Sequence, residues 1–122
     1  MSLRTPICDM LDIEHPILLA GMGGVSYAEL AAAVSNAGGY GVLGMAGTSA
    51  KFIKEQMQKT RSLTSRPFGV DLLAASPESL TESVDVIIGE GASSFVAGLG
   101  VPMPIMEKLN KAGLKVMVVC GA

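Results

Sequence analysis

The chain alternates between short, uninterrupted apolar runs and longer segments in which apolar residues recur every three or four positions. A short apolar run without polar alternation is typical of a strand that is buried on both faces. Such runs lie at residues 16–20, 40–44, 68–72, 93–97 and 115–119. Their starts, near 17, 40, 68, 93 and 115, are 23, 28, 25 and 22 residues apart. This is the spacing of βα units, so the pattern predicts a parallel sheet with helical crossovers.

The segment after the first run is predicted to be a helix. We expect Ser26 to cap its start, because a serine hydroxyl accepts a bond from a first-turn N–H group. Gly38 and Gly39 are expected to end it, because glycine adopts the left-handed conformation that closes many helices. The stripe predicted to face the core consists of Tyr27, Leu30, Ala31 and Val34.

Three further helices are predicted between the later runs. Thr48 or Ser49 opens the second helix, and Ser76 caps the third. Pro102 or Pro104 opens the fourth, since proline suits the first turn of a helix.

Five strands of this kind fit two architectures. One is an open flavodoxin-like sheet, which 122 residues would complete. The other is a (β/α)8 barrel, which needs about 250 residues and would end here at the fifth strand. The periodicity does not separate the two, and length alone favours the open sheet.

The composition predicts a single globular domain over residues 1–122. Hydrophobic residues make up 49% of the sequence and aromatic residues 4%, with no Trp and eight Met, so the core must be largely aliphatic. The net charge of −2 gives no reason to expect nucleic acid or an anionic membrane as a partner.

The start of the chain, Met1-Ser2-Leu3-Arg4-Thr5-Pro6, lacks the apolar run of a signal peptide. The other apolar runs are shorter than a membrane span requires. Cys8 and Cys120 have no metal-ligand spacing and are a poor basis for a disulfide framework. We therefore expect a soluble cytoplasmic protein with two reduced thiols.

The first apolar run ends in a glycine-rich segment, Gly21-Met22-Gly23-Gly24-Val25-Ser26. A dinucleotide fingerprint would need Gly or Ala at position 26, and an Asp or Glu after the second run to bind a ribose hydroxyl. Rossmann-type NAD binding is therefore disfavoured. The segment is either a plain tight turn or a place where a flat or phosphorylated ligand approaches the backbone. Small residues at 44–47 end the next run, which predicts a hollow at this edge of the sheet.

Few polar residues are candidates for chemistry. Asp71 lies near the end of the third apolar run, where it either contacts a ligand or bonds to nearby N–H groups of a turn. His15, the single histidine, precedes the first strand, at the end opposite the expected site. Cys120 follows the fifth strand and is expected to be an inert thiol. These residues form no catalytic set and no metal cluster, so any chemistry would rest on a cofactor.

Five segments of the chain resemble the nitronate monooxygenases, formerly called 2-nitropropane dioxygenases. They are PILLAGMGGVS at 16–26, ELAAAVSNAGGYG at 29–41, RPFGVD at 66–71, AGLGVP at 97–102 and AGLKV at 112–116. The resemblance covers nearly the whole chain. The flavin-dependent enoyl-acyl-carrier-protein reductase II looks much the same over these segments.

The resemblance implies an α/β fold of the TIM-barrel type, an FMN-binding (β/α)8 barrel to which this chain contributes about five βα units. It also implies that Ala20, Gly21, Met22 and Gly23 pack against the isoalloxazine ring of FMN. The third-strand motif of the family usually ends in Asn, which contacts the flavin, whereas Asp71 stands here. An ionised carboxylate accepts hydrogen bonds but donates none, so flavin contact through Asp71 would differ from that through Asn.

In the family, the catalytic His and the phosphate-binding loops follow the fifth strand. We therefore expect an FMN-dependent oxidoreductase that oxidises alkyl nitronates with O2 but is inactive as this chain alone, with no catalytic residue assigned within it. The alternatives are an enoyl-acyl-carrier-protein reductase on the same scaffold, or a non-catalytic half-barrel. Such a reaction implies a small-molecule substrate. Open sheet edges invite pairing, so we also expect a homo-oligomer.

Overall fold

The computed structural model describes residues 2–74 and 77–121, without the side chains of residues 77–79. The predicted cap Ser76 lies outside the described residues. The elements in chain order are α1 (Pro6–Leu11), α2 (Ala28–Asn36), β1 (Gly41–Gly44), α3 (Ala50–Leu63), β2 (Phe68–Leu73), α4 (Pro77–Gly89), β3 (Ser94–Gly98), a 3-10 turn (Met103–Ile105), α5 (Met106–Lys111) and β4 (Lys115–Val118).

The strands form one parallel sheet in the strictly sequential order β1-β2-β3-β4. Ala31 of α2, Ile53 of α3, Val84 of α4 and Leu109 of α5 belong to one buried cluster, which also contains Phe95 of β3. These four helices therefore share one face of the sheet. An open doubly wound sheet would have a break in strand order and helices on both faces. Sequential order with helices on one side is the arrangement of a TIM barrel, and the fold is an incomplete (β/α)8 barrel.

The opposite, inner face of the sheet is covered at one end by α1. Cys8, Leu11 and Ile13 are buried there in a second cluster with Tyr40 and Val42. This short helix was not predicted from the sequence. It closes the end of the sheet where the strands begin, and leaves the end where they finish uncovered.

Four of the five predicted strands are confirmed, but the first is not. Residues 16–20 contribute a single parallel bridge, between Leu18 and Tyr40. Pro16 has no N–H to donate, and the segment has a partner on one side only. Beyond it, the glycine-rich turn folds over the end of β1, so the ladder does not continue.

The predicted start of α2 was wrong. Tyr27 occupies the N-cap position and makes no side-chain capping bond. The Ser26 hydroxyl instead accepts the N–H of Met22 at 2.6 Å and donates to its carbonyl at 3.1 Å. By contrast, Ser49 caps α3 as expected, accepting the N–H of Phe52 at 3.1 Å.

The buried face of α2 also differs from the predicted stripe. Its buried residues are Ala28, Ala31, Ala32 and Ser35, whereas Leu30 is 37% exposed. Small side chains let this helix approach the sheet closely. A Cβ atom on Gly41 would overlap the carbonyl of Ala31, and the Ser35 hydroxyl accepts the Gly41 N–H at 3.0 Å.

Both cysteines are free. Cys8 is fully buried, with its Sγ 3.8 Å from the Glu14 carbonyl oxygen, and Cys120 is exposed. Within residues 2–74 and 77–121, no helix has the length and apolar character of a membrane span.

Candidate functional site

The inner face of the sheet carries two layers of side chains. Strand register brings Gly44, Asp71, Val96 and Met117 into one row across β1, β2, β3 and β4. This row, the upper layer, lies toward the carboxyl ends of the strands, where barrel folds bind their ligands.

The lower layer lies two residues nearer the start of each strand and contains Val42, Gly69 and Ser94. The Tyr40 hydroxyl and Ser94 Oγ hydrogen-bond at 2.6 Å, in a fully buried position. Gly69 makes this possible, because a Cβ there would overlap Ser94 Oγ and lie 3.1 Å from the Tyr40 ring. Burial raises the pKa of Tyr40 to about 12, against the opposing effect of the bond to Ser94. With α1 beneath it, the lower layer is a closed and internally bonded floor.

A cavity of about 520 Å³ lies above this floor. That volume is in the range of pockets for small molecules and cofactors. Its described lining is apolar or glycine apart from one carboxyl group, and consists of Leu18, Leu19, Ala20, Gly21, Val42, Ala46, Asp71, Leu73, Val96, Gly98, Leu99, Met117, Val118 and Val119.

Asp71 projects from the centre of the upper layer between two glycines. A Cβ atom on Gly21 would overlap the Asp71 side chain, and one on Gly98 would lie 3.6 Å from its Oδ1. The carboxyl group is half-buried, and burial raises the pKa of Asp71 to about 6. No hydrogen bond to this carboxyl group is found among residues 2–74 and 77–121.

The glycine-rich turn divides the sequence-predicted residues into two pairs. Ala20 and Gly21 line the cavity beside Asp71, whereas Met22 and Gly23 do not. The backbone of Met22 packs onto β1, where a Cβ on Gly44 would lie 2.5 Å from the Met22 nitrogen. The Met22 N–H is bonded to Ser26 and is not available to a ligand.

The other polar candidates lie away from the cavity. The backbone N–H of His15 donates to the Gly38 carbonyl at 2.9 Å, at the end where the strands begin. Cys120 is exposed and does not line the cavity, although Val118 and Val119 before it do. In the described part of the chain, no three His, Cys, Asp or Glu side chains are grouped to hold a metal ion.

Several lining residues were missed from the sequence. Val96, Gly98 and Met117 lie on the inner face because side chains of a strand alternate between faces. The run at 93–97 contains that alternation, but an uninterrupted apolar run does not reveal which face is inward.

A second cavity, of about 400 Å³, lies outside the sheet between the β1–α3 loop and α4. Thr48, Ser49, Leu80 and Ser83 are among its lining residues. None of the predicted binding residues reaches it, so the inner cavity is the candidate site.

Similarity to solved structures extends over almost the entire chain. FabK from Thermotoga maritima is 36% identical with a TM-score of 0.93, and the match covers 99% of this chain and 39% of that one. Nitroalkane oxidase from Streptomyces ansochromogenes is 26% identical with a TM-score of 0.79, covering 93% of this chain and 42% of that one.

Curated relatives point to the same group of proteins. A (3aS,4S,5R,7aS)-5-hydroxy-7a-methyl-1-oxo-octahydro-1H-indene-4-carboxyl-CoA dehydrogenase from Mycobacterium tuberculosis is 34% identical over 122 residues, which is 100% of this chain and 34% of that protein. A probable nitronate monooxygenase from Staphylococcus aureus strain JH9 is 39% identical over 112 residues, 92% of this chain and 32% of that protein. The chain thus spans about a third of the length of these relatives.

The sequence model of the nitronate monooxygenase family matches residues 4–121, which include every element of the fold and the whole described lining of the inner cavity. The chain belongs to the nitronate monooxygenase family.

Proposed function

We propose that the inner cavity binds the isoalloxazine ring of FMN, and that this chain forms the ring-binding wall of an FMN-dependent oxidoreductase acting on alkyl nitronates with O2. The observation that carries the proposal is the wall itself. It consists of an apolar cavity bounded by the backbone of residues 18–21, with no side chain at Gly21. Membership of the nitronate monooxygenase family supports the proposed type of reaction.

The residues present fit a flat, largely apolar ring. Ala20 and Gly21 offer backbone with almost no side chain, which lets a planar group approach closely. Val96 and Met117 add apolar surface on the sheet, and Asp71 is the polar group beside them. When bound, the flavin accepts electrons from the substrate, and the protein contributes orientation and shape.

The described lining contains no Lys, Arg or His, so it offers no cation to a phosphate group. Binding by this chain therefore depends on the ring and not on the phosphate. Riboflavin and FMN are expected to bind the 122-residue chain with dissociation constants within about threefold of each other, a difference of less than about 0.7 kcal/mol.

The test is a titration of each flavin with the purified chain, followed by visible absorbance and fluorescence. Gly21→Ala is expected to weaken binding of both flavins by about tenfold, roughly 1.4 kcal/mol, because the added methyl group displaces Asp71 into the cavity. Gly23→Ala is the matched control, since a Cβ there meets nothing within 4 Å. Unchanged flavin spectra in the presence of the wild-type chain would contradict the proposal.

A second candidate is a flavin-dependent enoyl-acyl-carrier-protein reductase. It is favoured by the stronger match to FabK, an enoyl-acyl-carrier-protein reductase II, at 36% identity against 26% for nitroalkane oxidase. Consumption of O2 on addition of a nitronate supports the first function, and oxidation of NADH with an enoyl thioester supports the second. The third alternative is a non-catalytic half-barrel, for which a colourless chain with neither activity is the expected result.

We also propose that the chain self-associates. Leu73, Leu99 and Val119 are 38%, 72% and 62% exposed around the mouth of the cavity. A patch of exposed apolar side chains of this kind marks an interaction surface. Light scattering of the purified chain is expected to give at least a dimer, and a monodisperse monomer would contradict self-association.

A further inference from the structure

Asp71 is the one charged side chain in the described lining of the inner cavity. The segment 16–21, β1, β3 and the loop at 98–101 carry no titratable side chain. On β4, Lys115 is exposed and lies in register with Ser94 of the lower layer, not with Asp71. Cys120, after β4, is exposed and outside the lining. Among the described residues, no cation therefore faces the carboxyl group.

An isolated carboxyl group in an apolar cavity has two states with opposite preferences. Ionised, it repels an anion, and the repulsion is stronger here than in water because the cavity walls have a low dielectric. It then favours ligands that present an N–H or O–H donor. When it is protonated, the carboxyl group is neutral and can donate a hydrogen bond to an anion bound beside it.

We propose that Asp71 determines the charge specificity of this site: near neutral pH the group bound beside Asp71 is neutral or donates a hydrogen bond, and an anionic group enters the cavity only together with a proton. The inference deepens the proposed function and rests on that part of it which makes the inner cavity the binding site, not on the binding of flavin.

The inference bears directly on the two candidate reactions. A nitronate is an anion, whereas an acyl thioester is neutral at the reacting group. At neutral pH Asp71 is mostly ionised, because burial raises its pKa only to about 6. The cavity therefore favours the neutral substrate at neutral pH, and nitronate binding is strongest in mildly acidic solution.

The test uses the whole 122-residue chain and two probes of nearly equal shape, butyrate and butyramide. Binding is followed by the amide signals of Gly21 and Gly98 in NMR spectra between about pH 5.5 and 8, where butyrate stays ionised. Butyrate affinity is expected to fall about tenfold for each pH unit above about 6, as required when binding takes up one proton. Butyramide affinity is expected to stay constant within about twofold, because no proton is exchanged.

Asp71→Asn is expected to make butyrate binding independent of pH and, at about pH 8, about tenfold or more stronger than in the wild type. Asp12→Asn is the matched control, since Asp12 is exposed and its left-handed conformation (φ 57°) suits Asn. This control variant should behave like the wild type.

Butyrate affinity that does not change with pH in the wild type overturns the inference. So does the absence of any shift of Gly21 and Gly98 with either probe up to about 100 mM, a limit that corresponds to roughly 1.4 kcal/mol of binding free energy. The bend near pH 6 separates protonation of Asp71 from uptake of neutral butyric acid, whose own pKa lies about one unit lower. A wild-type profile that keeps rising below about pH 6 therefore overturns the inference even if Asp71→Asn fails to fold. Failure of riboflavin to bind overturns the proposed function and leaves this inference standing.

Discussion

The two inner layers of the barrel lie on the same strands but differ in whether their polar side chains are hydrogen-bonded. In the lower layer, Tyr40 and Ser94 are buried and bonded to each other, above the closing helix α1. In the upper layer, Asp71 is half-buried beside a cavity, and the described residues provide it with no partner. In barrel folds the end where strands begin contributes stability and the end where they finish contributes binding. Here the bonded pair Tyr40 and Ser94 contributes to stability, whereas Asp71 is placed for binding.

The largest effect on the free energy of unfolding is expected from a change in α1, the helix that closes the floor. Leu11→Ala removes a side chain of α1 that is 4% exposed, and should lower the free energy of unfolding by about 2–5 kcal/mol through lost burial and the cavity left behind. Leu73→Ala, at the mouth, replaces a residue that is 38% exposed and should cost less than about 1 kcal/mol. Urea unfolding followed by circular dichroism measures both. Equal losses would abolish the contrast between the two layers.

An intermediate effect is expected from Tyr40→Phe. The change leaves the Ser94 hydroxyl buried without its partner, so the free energy of unfolding should fall by about 1–3 kcal/mol. Tyr27→Phe serves as the control. The Tyr27 hydroxyl accepts only an exposed bond, from the Gly24 N–H at 3.2 Å, and its loss should cost less than about 0.5 kcal/mol. A Tyr40→Phe chain as stable as the wild type would show that the floor does not depend on this bond.

The smallest effect concerns the stability contributed by Asp71. Its pKa rises from the usual 3.8 to about 6 on folding, so the folded state holds its proton more tightly than the unfolded state. The wild type should therefore lose stability as pH rises from about 4 to about 6, and keep that deficit at higher pH. Asp71→Asn should be more stable than the wild type at about pH 7, by less than about 1 kcal/mol because the carboxyl group is partly solvated. The two chains should have the same melting temperature near pH 4, and a less stable variant at about pH 7 would mean that Asp71 has a favourable partner.

The repeating βα pattern predicted β1, β2 and β3 well because most of their residues are buried. It also located β4, although the residues of that strand are exposed or only partly buried. Phe68–Leu73 and Ser94–Gly98 agree closely with their apolar runs. The same pattern failed at residues 16–20, where the run is apolar but pairs through one bridge. The run does not report burial either, because Ile17 is 62% and Leu18 is 39% exposed. An apolar run at the edge of this sheet therefore implies neither burial nor a ladder of hydrogen bonds.

Long-range contacts explain what the sequence did not reveal about the site. The clash that makes Gly21 necessary comes from Asp71, fifty positions away. The bond between Tyr40 and Ser94 likewise joins β1's start to β3 across Gly69. The local sequence predicted that Ser26 caps α2, but its hydroxyl forms two hydrogen bonds with the backbone of Met22 instead. Glycine spacing predicted a hollow, whereas its floor and lining depend on strand register.

The placement of the two thiols allows the opening of the barrel floor to be measured from the rates at which they are modified. Cys8 is buried beneath the inner face, and Cys120 is exposed at the other end of the chain. A thiol reagent therefore modifies Cys120 at its intrinsic rate, whereas Cys8 reacts only when α1 detaches from the sheet. The ratio of the two rates gives the fraction of time that the floor is open, measured within one molecule and without any denaturant.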